Sequence, residues 1–498
     1  MTEFYQNLHS DMADTRLWGY AGSYPGPIIE AYQDKPIYVR WINKLPHKHF
    51  LPIDMTIHGA MENPEVRTVV HLHGLNVKPE SDGFPDSWFT PGNSALYYYP
   101  NEQQACTLWY HDHAIGITRL NVYAGLSGMY YICDKNEEKL NLPCGEYEIP
   151  LVIQDRDFND DGSLSYPAPE INGVQPSITP GFFGNYALVN GKVWPHLVVK
   201  PRKYRFRFLN GSNSRDYALR FSGEPGQILP SMNQIGSDGG FLECPAKLST
   251  LSLLPAERGD VIIDFTGLEN KTFTLVNDSV PPFGTPLPEI MQFRVSGEPC
   301  KDDSCLPRKL NDIAPLPVKN AKQRNIDIVV GLDGYNRLMF MLEDKTWTDP
   351  VTIQAELGSL EVWNIINTGA GTHPIHVHLV QFQVLNRQPF NVDAYTTSGK
   401  LIYIGPEVLP DENERGWKDT VKALPGFVTR FIARFGDFTG TYPFHCHILE
   451  HEDHDMMRPF QVYRSKCADG DENEQGPYIL KDVVEDEDII KLRTSRPL

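Results

Sequence analysis

Residues 202–212 read RKYRFRFLNGS, with Tyr204, Phe206 and Phe208 at every second position before the run closes on Asn210 and Gly211. Side chains two apart share one face of an extended chain, so such alternation, ended by Asn and Gly, marks a half-buried strand. Two other stretches have the same form. PIYVRWINKL at 36–45 carries Ile37, Val39 and Trp41, and GSLEVWNIINTG at 358–369 carries Leu360, Val362 and Asn364 to Ile366. Each closes on an Asn, at 43, 210 and 367, spaced by 167 and 157 residues. A repeat that long is domain-sized, so the chain reads as three copies of one all-β sandwich. Boundaries are expected near 136–146 and across the Pro-, Lys- and Asp-rich stretch 297–321, dividing the chain into 1–140, 141–298, a linker 299–321 and 322–465. The acidic tail 466–498 has nine acidic and four basic residues from Cys467 onward and is expected to be loosely attached, without chemistry.

The 498 residues, 41% hydrophobic, are enough for several cores. A formal charge of −19, with no stripe of Lys and Arg, argues against nucleic acid and anionic membrane surfaces as partners. No apolar run approaches the roughly 20 residues that span a bilayer, so no membrane association is expected. Met1 to Tyr20 has no charged or apolar leader region, so no signal peptide and synthesis in the cytoplasm are expected. Eight cysteines are too sparse for a disulfide scaffold, and Cys106, Cys133, Cys144, Cys244 and Cys467 read as plain thiols. Cys300 and Cys305, close together in the linker, form a disulfide or stay as two free thiols.

Eight of the 16 histidines fall in four His-x-His pairs: His71 and His73, His111 and His113, His376 and His378, His445 and His447. Random placement at this His frequency would give roughly half of one such pair. On a strand each pair aims two imidazoles the same way, and neutral imidazole suits copper, zinc or iron. Eight of them imply a multinuclear site. The pairs occupy the first and third repeats only, which places that site between domains one and three and leaves domain two as a spacer.

The third repeat adds a sulfur. YPFHCHILEHEDHDMMRPF (442–460) stands where LWYHDHAIGITRLNVYAG (108–125) stands in the first repeat, but Cys446 replaces Asp112. Cys446, His451 and Met456, spaced by five and five, join the distant His373 in a set of two imidazoles, a thiolate and a weak thioether, which is the ligand set of a blue copper centre. Cys446 lies between His445 and His447, so its side chain points to the opposite face and the two sites sit on either side of one backbone segment.

At these residues the chain resembles the multicopper oxidases, and most closely the bacterial spore-coat laccase and bilirubin oxidase branch. The likeness runs from about residue 13 to 465 through TRLWGY (15–20), VVHLHG (69–74), SDGFP (81–85), LWYHDHA (108–114), LVNGKVWP (188–195), QIGSDGG (234–240), THPIHVHL (372–379), GWKDT (416–420) and HCHILEHEDHDMMRP (445–459). It implies three cupredoxin-like domains and four copper ions. The type 1 ion would be held by His373, Cys446 and His451 with Met456 axial, and the type 2 ion by His71 and His376. Of the type 3 pair, His73, His111 and His447 would serve one ion and His113, His378 and His445 the other.

The same resemblance implies one-electron oxidation of phenols and aromatic amines coupled to four-electron reduction of O2 to water, by a spore-coat protein expected to be a monomer. Bilirubin oxidation, oxidation of Cu(I) or Mn(II), and a non-catalytic copper-binding coat protein are the alternatives. The absence of a Met-rich insert beside Met456 lowers the cuprous reading, and four His-x-His pairs set the chain apart from copper nitrite reductases. Because O2 reduction consumes four protons, Glu452 is the candidate proton relay and Asp82 the candidate residue for cluster water. The blander alternative is a surface Glu and a turn-forming Asp. The reductant is expected near His451, whose ring edge would face solvent. The six histidines outside these motifs, His9, His47, His49, His58, His196 and His454, read as structural or solvated. Where relatives carry a cysteine bonded to a loop near the substrate, this chain has Phe183, and loop 277–290 has no cysteine. A looser lid is expected.

Overall fold

The computed structural model of the chain describes residues 1–298, 301–465 and 491–493. Strands make up 44% and helices 7%, the all-β architecture that the alternation predicts. The three repeated segments are the strands Ile37–Ile42, Lys203–Asn210 and Leu360–Asn367.

Their closing Asn residues do one job three times. Each Oδ1 accepts the backbone N–H two residues on, from Leu45 (3.0 Å), Ser212 (3.0 Å) and Gly369 (2.9 Å). Each Nδ2 donates to a carbonyl from another segment: Phe89 for Asn43, Leu253 for Asn210 and Ala423 for Asn367. All three are fully buried. Asn can turn the chain in this way because its short side chain carries both donor and acceptor. Losing it strands buried amides at about 1–3 kcal/mol each.

Three aromatic-rich cores follow along the chain, around Trp18, Tyr110 and Tyr130, around Phe206, Phe208, Phe273 and Phe293, and around Trp363, Phe431, Phe444 and Phe460. Beside the first lies a five-stranded sheet in the order Lys491–Arg493, Gly26–Tyr32, Ser127–Cys133, Cys106–Asp112, Val70–His73. The second core lies between an eight-stranded and a five-stranded sheet, and the third between two five-stranded sheets. In one of these last two, Gly440–Cys446 is the central strand, flanked by Met457–Tyr463 and His373–Val377.

The strand Lys491–Arg493 corrects one expectation. It pairs antiparallel with Ile28 to Glu30, so the tail is tied to the first sheet at that point and covers an edge that would otherwise expose unpaired backbone. The rest of the tail, and Cys300 with the question of its pairing to Cys305, lie outside the described residues. Among the described residues no helix is long and apolar enough to cross a membrane.

Two short helices, Thr118–Ala124 and Leu449–Asp453, pack together. Asp453 caps the first, accepting the N–H of Thr118 at 3.0 Å and of Arg119 at 2.9 Å, and it also accepts from the Arg119 guanidinium at 2.8 Å. The free N–H groups at a helix start favour a carboxylate there. This cap fixes the helix that carries His451 and Glu452.

Lower on the third unit, buried Glu414 takes a two-pronged hydrogen bond from Arg387, at 2.8 Å on each oxygen, with Lys422 at 3.3 Å. Burial alone would raise its pKa, but these cations outweigh it and hold the carboxyl down at about 2. A carboxyl depressed in the folded state stabilises above its unfolded pKa, and that stability is lost as pH falls towards the folded value. Denaturant unfolding between pH 5 and 2.5 is expected to lose about 2 kcal/mol through Glu414. The variant Glu414→Gln should be less stable at neutral pH and flatter in acid. An unchanged acid slope would assign the loss to other groups.

Candidate metal centre

The eight imidazoles of the four pairs converge from two sheets, and none is more than 1% exposed. In the first sheet His71 stands opposite His111 across the ladder, and in the third unit His376 stands opposite His445. Burial pushes seven of them below the usual imidazole range, His111 and His376 to about 3, so each is neutral at pH 7 with a lone pair to give.

The Nε2 atoms of His113, His378 and His445 lie 3.2–3.3 Å from one another. Their Nδ1 atoms face protein acceptors: Glu452 at 3.2 Å for His113, Asp82 at 2.8 Å for His378, and the Cys446 carbonyl at 3.1 Å for His445. Three bare lone pairs therefore point at one another, which is repulsive without a cation among them. The spacing suits one, since a tetrahedron with metal–nitrogen bonds of about 2.0 Å has edges of about 3.3 Å.

The ligating atoms of His73, His111 and His447 also gather within 4.8 Å, as do those of His71, His376 and His378. His71 and His376 give Nδ1–H to the carbonyls of Asp82 (2.6 Å) and Asp419 (2.8 Å), leaving buried Nε2 atoms without a partner. His73 is turned the other way. Its Nε2 is taken by Asp419 Oδ1 at 3.0 Å, and its Nδ1 is the buried atom left bare.

Cys446 leaves the strand on the opposite face. Its Sγ lies 3.5 Å from His373 Nδ1 and 3.7 Å from His451 Nδ1, and Met456 is fully buried in the same core. Burial pushes the Cys446 thiol well above its usual range, so a thiolate exists there only beside a bound cation. Two imidazoles, a thiolate and a thioether make a donor set suited to copper. Asp455, just before Met456, and Leu379, just after His378, hold φ of 68° and 71°. Non-glycine residues avoid that region unless their surroundings force it, and such strain gathers at working sites. In the first repeat Asp112 stands in the cysteine's place and is spent on structure, bonded to the backbone N–H of Val69 and Ala114 and to Asn121.

Residues 5–137 and 317–466 each match the multicopper oxidases. The chain is 49% identical to a laccase of Bacillus stratosphericus, across 93% of this chain and 94% of that one. It is 48% identical to a laccase of Bacillus subtilis (strain 168), across 93% of each. The chain belongs to the multicopper oxidase family. Its fold is also that of the crystal structure of the McoA multicopper oxidase from Aquifex aeolicus, with a TM-score of 0.76 at 27% identity over 93% of this chain and 95% of that one. This multicopper oxidase is a laccase-type, copper-dependent oxidoreductase with O2 as acceptor and four copper ions as cofactors.

Within the multicopper oxidase, Glu452 sits between two imidazoles, with Oε1 3.2 Å from His113 Nδ1 and Oε2 3.0 Å from His445 Nδ1. Asp82 binds His378 Nδ1 through its side chain and His71 Nδ1 through its carbonyl. Both are only 1% exposed, so neither is at the surface. Asp419 and Arg258 were missed in the sequence. Asp419 stood in the GWKDT motif, and no spacing tied it to His73.

Two expectations about the reductant side change. The His451 ring is 6% exposed, and its Nε2–H donates to the Pro180 carbonyl at 2.9 Å, so Pro180 caps the ring edge expected to face solvent. The lid position expected to be loose is held by an aromatic contact, Phe183 against Phe283 of loop 277–290, edge to face at 4.9 Å. Arg215 binds the carbonyls of both segments, Gly184 at 2.9 Å and Thr285 at 3.1 Å.

Proposed function

We propose that this multicopper oxidase oxidises phenols and aromatic amines one electron at a time, and that His373, Cys446, His451 and Met456 would hold the type 1 copper that supplies this chemistry. A three-copper cluster would supply the reduction of O2 to water. His71 and His376 would hold its type 2 ion, and His73, His111 and His447, with His113, His378 and His445, would hold its type 3 pair. Domains 1–140, 141–298 and 322–465 then divide the work, with all ligands in the outer two. A monomer placed in a spore coat is the reading favoured by the sequence resemblance.

The observation that carries this proposal is the position of Cys446, whose sulfur meets His373 and His451 while its neighbours His445 and His447 meet the other imidazoles. When bound, copper supplies one-electron chemistry at the sulfur site and O2 reduction at the imidazole site. The peptide units from Cys446 to His445 and His447 form a continuous covalent path between the two. The carboxylate of Glu452 stands within reach of two ring N–H groups and can hold and pass a proton there. Asp82 fixes the rings of His71 and His378. Pro180 fixes the ring of His451 and leaves Nδ1 toward the sulfur.

A copper-loaded sample should show blue thiolate-to-copper absorption and a near-ultraviolet band from the coupled pair, and should consume one O2 for every four electrons taken from a phenol. A colourless loaded protein, or hydrogen peroxide as main product, contradicts the proposal. Comparing phenols, bilirubin and Cu(I) at fixed O2 ranks the reductants.

A further inference from the structure

Five N–H bonds of one buried guanidinium join all three units beside the cluster. Arg258, 1% exposed at the start of the strand Arg258–Asp264, donates through Nε to the Thr107 carbonyl at 2.9 Å. Nη1 donates to Asp419 Oδ1 and to the Ala256 carbonyl, both at 2.9 Å. Nη2 donates to Asp419 Oδ2 and, at 3.2 Å, to the Asp238 carbonyl. Thr107 lies on the strand that carries His111, Asp238 and Ala256 belong to the middle unit, and Asp419 precedes the strand Thr420–Ala423 of the third.

Asp419 is spent on the cluster side as well. Its Oδ1 accepts from His73 Nε2 at 3.0 Å and its backbone carbonyl from His376 Nδ1 at 2.8 Å. The two rings stack at 3.6 Å and 15°. Lys418, next in chain, is held by Asp238 at 2.8 Å and Glu257 at 3.1 Å, again from the middle unit. Space is reserved for the pair. Gly74, directly after His73 and at φ +88°, has no side chain, and a Cβ there would fall 2.5 Å from Asp419 Oδ2 and 2.9 Å from Arg258 Nη2.

We propose that Arg258 and Asp419 are positioning residues of the cluster: the middle unit, through Arg258, locks Asp419 so that His73 must offer Nδ1 to copper. This inference rests on the copper assignment above. A carboxylate that takes one ring N–H leaves the other nitrogen bare, fixes the ring and raises its basicity, and removing such a partner commonly costs about 10–100-fold in metal affinity. Asp419 alone would be a buried, unpaired charge, and the planar fork of Arg258 matches both its oxygens. The middle unit, expected to be a spacer, therefore helps to build a site to which it gives no ligand.

The test compares copper-loaded Asp419→Asn, Arg258→Met and Arg258→Lys with the parent, using copper retention against a chelator and the two absorption bands. Asp419→Asn and Arg258→Met should lose cluster copper about 10–100-fold more readily and lose the near-ultraviolet band, with the blue band per chain unchanged. Arg258→Lys, which keeps the charge but not the fork, should recover part of the retention. Parent-like retention in Asp419→Asn overturns the proposal, as does parallel loss of both bands, the mark of a merely structural contact. If Arg258→Met does not fold, Asp419→Asn, which keeps the side-chain shape, decides alone. A parent protein without the two bands would instead sink the copper assignment.

Discussion

Cys446→Ser should abolish the blue absorption and reduce phenol turnover to background, while the near-ultraviolet band and the three cluster ions persist. The sulfur is fully buried, with His373, His451 and the N–H of Ile448 as polar neighbours, so its loss removes the thiolate contact without touching the imidazoles on the other face. A serine hydroxyl is a hard, poorly acidic donor, ill suited to the softer copper states. The exchange should cost at most about 1–3 kcal/mol of stability if the hydroxyl finds no partner. Loss of all four ions would contradict the two-site layout.

The second large effect is expected at Glu452. Glu452→Gln should slow reoxidation by O2 about 10²–10⁴-fold, the usual worth of a placed acid or base, and leave anaerobic single-turnover oxidation of a phenol unchanged. The two carboxylate oxygens stand 3.2 Å from His113 Nδ1 and 3.0 Å from His445 Nδ1, and an amide would face only one of those nitrogens with an oxygen. Copper content must therefore be followed in the same sample. Slow reoxidation with four ions retained supports a proton relay, and equal slowing of both half-reactions removes that role. Lost cluster copper would make Glu452 an anchor for the two rings instead.

What the sequence showed clearly was what a strand writes locally. Alternation at Tyr204, Phe206 and Phe208, the closing Asn residues and the i, i+2 imidazoles all follow from the period of two, so the fold and the two faces around Cys446 were legible. The carboxylate behind His73 was not, because Asp419 lies 346 residues along the chain from it, and Arg258 lies 161 from Asp419. Long-range polar pairs leave no periodicity. The same holds for Pro180, 271 residues before the His451 ring that it caps, and for Phe183, whose ring fills with Phe283 a role the sequence comparison assigned to sulfur. The strand at Lys491–Arg493 was hidden by its acidic surroundings, which read as tail.

The central claim is that residues 445–447 serve separate metal centres from opposite faces of one strand. Anomalous scattering at the copper edge, from crystals of the copper-loaded chain, tests it directly. One isolated ion should lie against Cys446 Sγ, His373 and His451, and a group of three should lie across the backbone, with His445 and His447 on ions of that group. A single ion shared by Cys446 and either flanking imidazole would contradict it.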